Sequence, residues 1–109
     1  MLTYQVISPK LAEVKPLDEE LVCEEIERMA GDFELEAPKR MTLSSKKGSY
    51  HWHFKKGKEK GVLEVTYWPK RSELLVEIHD NRRVDWNTAL IEPLAADFAE
   101  YFGGSVEKG

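Results

Sequence analysis

The chain has 109 residues and a mass of 12.6 kDa, with 41% hydrophobic and 33% charged residues and a formal net charge of −4. That length fits one domain over residues 1–109, long enough to bury roughly two thirds of its unfolded surface, and the balance excludes a wholly disordered chain. The longest apolar runs, such as Leu74, Leu75, Val76, are too short for a membrane-spanning helix, and the first residues carry no apolar leader pattern. Cys23 stands alone, so no internal disulfide is possible, and a reducing cytoplasmic location is expected.

Charge is unevenly placed. Residues 1–37 sum to −7, residues 38–83 to +7 and residues 84–109 to −4. Either the acidic flanks neutralise the basic middle on folding, or a basic surface is left to meet an anion.

Leu2 to Ile7 alternates with period two and predicts a short strand. Pro9 and Pro16 bracket an irregular connection. Asp18 is placed to cap a helix, with Glu19 and Glu20 at its positive end. Val22, Ile26, Met29 and Ala30 fall on one side of that helix, and Glu20, Glu24, Glu27 and Arg28 on the other. Cys23 sits at the margin of the apolar side and reads as a small core hydrophobe, not a nucleophile. Gly31 suits its C-terminal end.

The centre reads as four strands. Met41 and Leu43 alternate with polar neighbours; Tyr50, Trp52 and Phe54 alternate with His51 and His53; Leu63, Val65 and Tyr67 with Glu64, Thr66 and Trp68; Leu74, Val76 and Ile78 with Leu75, Glu77 and His79. Closing the turns pairs Phe54 with Leu63, Trp52 with Val65, Tyr50 with Tyr67, then Tyr67 with Leu74, Val65 with Val76 and Leu63 with Ile78. Each pair joins large apolar groups on one face, and a one-residue slip would turn a whole set outward. A last helix spans Asn87 to Phe102, with Leu90, Ile91, Leu94, Phe98, Tyr101 and Phe102 in one stripe and Ala96 and Ala99 opposite. Pro93 demands either a kink or a later start, because an interior proline loses a backbone hydrogen bond. Gly103 and Gly104 end the helix, and the tail from Ser105 is expected to fray.

The predicted fold is α+β: a two-layer sandwich in which a four-stranded antiparallel meander, with a fifth N-terminal strand optional, carries two helices on one face in the order (β)-α-β-β-β-β-α. The opposite face mixes polar and apolar groups, and that face together with one end of the sheet gives three candidate surfaces.

The first is a protein-docking or self-association face formed by Trp68, Leu75, Thr66 and Val62. The second is a pole rich in cations, with Lys55, Lys56, Lys58, Lys60, Arg82 and Arg83, suited to nucleic acid or another polyanion. The third is a metal site at His51, His53 and Glu64, whose His-x-His spacing puts two imidazoles on one strand face beside a carboxylate. His79 pairs with Val62 in this register and is expected to lie too far away to join them. No phosphate-binding loop, dinucleotide fingerprint or nucleophile elbow occurs, so a non-enzymatic binding domain without a cofactor is the leading expectation, with protein, or a second copy, as partner.

Overall fold

The computed structural model describes residues 1–12 and 18–109. Strand β1 (Leu2–Ile7) leads through a one-turn helix α1 (Pro9–Ala12) to helix α2 (Glu19–Asp32). Strands β2 (Tyr50–Phe54), β3 (Leu63–Trp68) and β4 (Glu73–Ile78) follow, then helix α3 (Asp85–Phe102) and strand β5 (Ser105–Lys108). The five strands form one antiparallel sheet in the order β2-β3-β4-β1-β5. Pro16 lies outside the described residues. No helix among the described residues is long and apolar enough to cross a membrane.

The expected α+β sandwich is the fold observed. Tyr50 pairs with Tyr67, Trp52 with Val65, Phe54 with Leu63, Val65 with Val76 and Tyr67 with Leu74. Strand β1 joins the far side of β4, pairing Val6 with Leu74 and Tyr4 with Val76, so its own alternating residues extend the same inner face. Trp52, Tyr67, Phe54 and Phe98 are the largest fully buried side chains, each contributing ~1.5–3 kcal/mol through apolar area removed from water. Val22, Cys23, Ile26, Met29 and Ala30 of α2 and Ile91, Leu94, Ala95, Phe98 and Phe102 of α3 complete that core. Cys23 is fully buried in the core, as expected of a small core hydrophobe.

Several local expectations are corrected. Met41 and Leu43 do not lie on a strand: Met41 makes a single antiparallel bridge to His51, and Glu36 makes another to Lys55. The segment thus guards the free edge of β2 at two points without extending the sheet. The tail does not fray but forms β5, pairing Val106 with Val6 and Lys108 with Tyr4. Gly104 permits this, since a Cβ there would stand 2.0 Å from the carbonyl oxygen of Ile7.

Asp18 sits at the N-cap of α2 in an αR conformation without a side-chain cap bond, and Gly31 lies inside the helix, which ends at Asp32 with Phe33 as C-cap. In α3, Ala99 is buried and Tyr101 is exposed, the reverse of the expected stripe: the buried face runs through Ile91, Leu94, Ala95, Phe98, Ala99 and Phe102. Pro93 lies inside this helix on its exposed side, where water can satisfy the carbonyl that a proline leaves unpaired.

The first turn of α3 is also a structural tie. Val84 at its N-cap has no polar side chain, so Asn87 supplies the cap by accepting from the Val84 N–H at 3.0 Å. The Asn87 amide is fully buried and donates to the carbonyls of Val62 at 3.0 Å and Arg82 at 2.8 Å. Trp86 donates its indole N–H to the carbonyl of Lys60 at 2.6 Å. Two loops at one end of the sheet are thereby fixed to each other and to the helix.

Candidate metal centre

Period-two alternation sends Trp52 inward and its neighbours His51 and His53 outward. The Trp52 indole N–H donates to Glu27 of α2 at 2.9 Å, which holds β2 in this orientation. On the adjacent strand β3, Leu63, Val65 and Tyr67 face the core, so Glu64 and Thr66 face outward beside the two histidines, with His53 opposite Glu64 and His51 opposite Thr66.

All three imidazoles of the chain converge on the Glu64 carboxylate. His51 Nε2 lies 3.1 Å and His53 Nε2 3.5 Å from Glu64 Oε1, and His79 Nε2 lies 3.0 Å from Glu64 Oε2. The expectation that His79 stays apart is thus corrected. Glu64 sits on the central of three strands, and a side chain diagonal to it on the neighbouring strand is ~7–8 Å away between Cα atoms, within reach of an imidazole. His51 and Glu64 are buried, while His53 and His79 are partly open to solvent.

Thr66 Oγ1 lies 2.7 Å from His51 Nδ1. Three arrangements satisfy His51. The Thr66 hydroxyl can donate to Nδ1, in which case Nε2 carries the proton and donates to Glu64. A ring protonated on both nitrogens donates to Thr66 and to Glu64. In the third, Nδ1 donates to Thr66 and the Nε2 lone pair is free to meet a cation beside the Glu64 carboxylate. A metal-ligating histidine hands its other ring N–H to an acceptor, and Thr66 Oγ1 is placed to be that acceptor for His51 Nδ1 in the third arrangement.

The electrostatics have the same sense. Burial works to raise the pKa of Glu64, but the His51 hydrogen bond and the three imidazoles outweigh it, so the carboxyl stays below its ordinary value and ionised. Burial likewise lowers the pKa of His53, with His51, Arg82 and His79 acting in the same direction and Glu64 opposing, which favours a neutral imidazole with a free lone pair.

One ligand atom each from His51, His53 and Glu64 lies within 4.8 Å of the others. Three ligands bonded to one tetrahedral ion at ~2.0–2.2 Å stand ~3.3–3.6 Å apart, so small rotations close the set. His79 then keeps the second carboxylate oxygen.

The docking residues fare differently. Val62 and Thr66 are buried, leaving Trp68 and Leu75, both half-buried, as the apolar part of the outer face. The Trp68 indole N–H donates to the Lys47 carbonyl at 2.9 Å, and its ring carries Lys46 and Arg71 at 5.4 and 5.5 Å. Of the cations, Lys55, Lys60 and Arg82 line one cavity, whereas Lys56, Lys58 and Arg83 lie outside its lining. Arg40 is neutralised by Glu20 and Glu27 of the acidic flank, and Lys46 pairs with Glu73 within the basic middle itself. No known protein family, curated protein or solved structure matches this chain.

Proposed function

We propose that this chain is a metal-binding domain that holds a divalent transition ion on the outer face of its sheet, through His51 Nε2, His53 Nε2 and Glu64 Oε1. The observation that carries this reading is the convergence of three imidazoles on one buried carboxylate. The ionised Glu64 carboxylate brings a negative charge into a buried position, and a bound cation offsets the cost of holding that charge away from water. Two imidazoles and one carboxylate suit zinc and its neighbours in the first transition row. Three protein ligands leave a coordination position open, the pattern of a working centre and not of a closed structural one. Thr66 orients His51, and His79 holds Glu64 Oε2.

The reading takes precedence over a protein-docking face because two of the four docking residues are buried. Its test is thermal melting in a metal chelator and then in excess zinc, for the native chain and for His53→Ala and Glu64→Gln. An ion at one hundred times its dissociation constant stabilises the folded state by ~2.7 kcal/mol. The native chain should gain that stability and both variants should lose the gain. Equal melting with and without zinc in the native chain contradicts the reading.

A further inference from the structure

Beside the histidine cluster lies a cavity of about 370 Å³ whose lining includes Lys55, Lys60, Val62 and Arg82. Its position relative to the cluster is fixed by strand geometry. Lys55 follows His53 by two residues and Val62 precedes Glu64 by two, so the cavity lies at the end of β2 and the start of β3, next to the cluster.

The cavity is held open by the fold. Asn87 ties the carbonyls of Val62 and Arg82 together, and Trp86 holds the carbonyl of Lys60. Gly61 between them has φ +98°, and a Cβ there would stand 2.4 Å from Val84 Cγ2, so the turn can approach the helix only with glycine. The charged groups, in contrast, are left over. Lys55, Lys60 and Arg82 are exposed, and none has a carboxylate within ion-pair distance among the described residues. Three unpaired cations on a fixed rim, next to a metal with an open position, make a composite anion site.

We infer that the centre takes a small phosphate-bearing molecule, with one anionic oxygen in the open position of the metal and the remaining charge held by Lys55, Lys60 and Arg82. This inference rests on the metal-binding reading above. Arg82 offers the planar fork that matches phosphate oxygens, and the two lysines add point charges. The size of the cavity falls in the range of small-molecule sites. A nucleic acid fits less well: the chain carries a net charge of −4, and only three cations line the cavity, whereas a nucleic-acid surface presents a longer basic track.

The experiment loads the full chain with cobalt(II) as a paramagnetic substitute and follows the ³¹P relaxation of inorganic phosphate. Cobalt uptake is measured on the same samples. The native protein should take up cobalt and shorten the phosphate relaxation time. The double variant Lys60→Ala, Arg82→Ala should still take up cobalt while its phosphate affinity falls about tenfold or more. Both residues are exposed, so the variant retains its core.

Unchanged phosphate relaxation in that variant, or no phosphate effect in a fully cobalt-loaded native chain, overturns this inference and leaves the metal site standing. No cobalt uptake overturns the metal reading and the inference with it. A phosphomonoester added as competitor should displace phosphate. A short single-stranded oligonucleotide that binds the metal-free chain as tightly as the loaded one overturns the small-molecule assignment in favour of a polyanion surface.

Discussion

His51 Nδ1 and Thr66 Oγ1 lie 2.7 Å apart, both buried, on neighbouring strands whose cross-strand register makes them direct partners. The pair fixes the imidazole plane and leaves Nε2 directed at Glu64. Replacing Thr66 with Val preserves the shape but removes the hydroxyl. Loss of such a supporting partner typically costs 10–100-fold in metal affinity. Competition titration against a chromophoric chelator should therefore show zinc affinity in Thr66→Val falling by about that factor. The metal-free variant should also lose ~1–3 kcal/mol of stability, because His51 Nδ1 is left buried and unpaired. Native zinc affinity in this variant would show that Thr66 does not orient the ligand.

The Tyr67 hydroxyl is buried with no hydrogen-bond partner among the described residues. Burial of an unpaired hydroxyl costs ~1–3 kcal/mol, while the ring itself is part of the core. Tyr67→Phe should therefore raise the denaturation midpoint, with a gain of about 1 kcal/mol in urea unfolding. A loss of stability in this variant would mean that the hydroxyl has a favourable partner.

Glu27 is held by Arg40 through two hydrogen bonds and by the Trp52 indole. The Arg40 bond keeps its carboxyl below the ordinary value of 4.5, with burial opposing and Trp52 assisting. As the pH falls below 4.5, the unfolded chain takes up this proton before the folded chain does. The stabilisation is therefore complete above that value and is lost as the pH falls through the lower, folded-state pKa. Acid titration of stability should show this limb in the native chain and a shallower one in Glu27→Gln. Identical acid limbs in the two proteins would remove Glu27 from the account.

Burial pushes the Cys23 thiol up to about 12, with Arg40 opposing and the neighbouring glutamates adding to the rise. Only the thiolate is nucleophilic, so Cys23 should resist iodoacetamide at pH 8 in the native chain and react once guanidinium unfolds it. Rapid alkylation of the native protein, read by mass, would contradict the placement of Cys23 in the core.

The fold was largely legible because the inner face of the sheet is written redundantly. Five cross-strand apolar pairs from Tyr50 to Val76 agree on one register, and a one-residue slip exposes a whole strand face. The C-terminal strand was not legible, because Ser105, Glu107 and Lys108 carry no apolar repeat. It forms because Gly104 lets the chain meet β1, a contact distant in sequence.

The site divides in the same way. The spacing of His51 and His53 and the register put Glu64 beside them. His79 was missed because direct cross-strand pairing assigns it to Val62, whereas its side chain reaches diagonally to Glu64. The signal available was the shared parity of Glu64 and His79 on the outer face. Asn87 was also missed as a structural tie, since a single polar residue at the start of a helix reads as an exposed cap and not as a buried bridge.

The metal-binding proposal requires that His51, His53 and Glu64 together hold one divalent ion. Its most direct test is equilibrium dialysis of the metal-free chain against zinc, with metal analysis of the protein, beside Glu64→Gln under the same conditions. One zinc per native chain, absent from the variant, is the result the account predicts. No zinc on the native chain, or equal zinc on both proteins, would contradict it and leave Glu64 as the hydrogen-bonded hub of a purely structural histidine cluster.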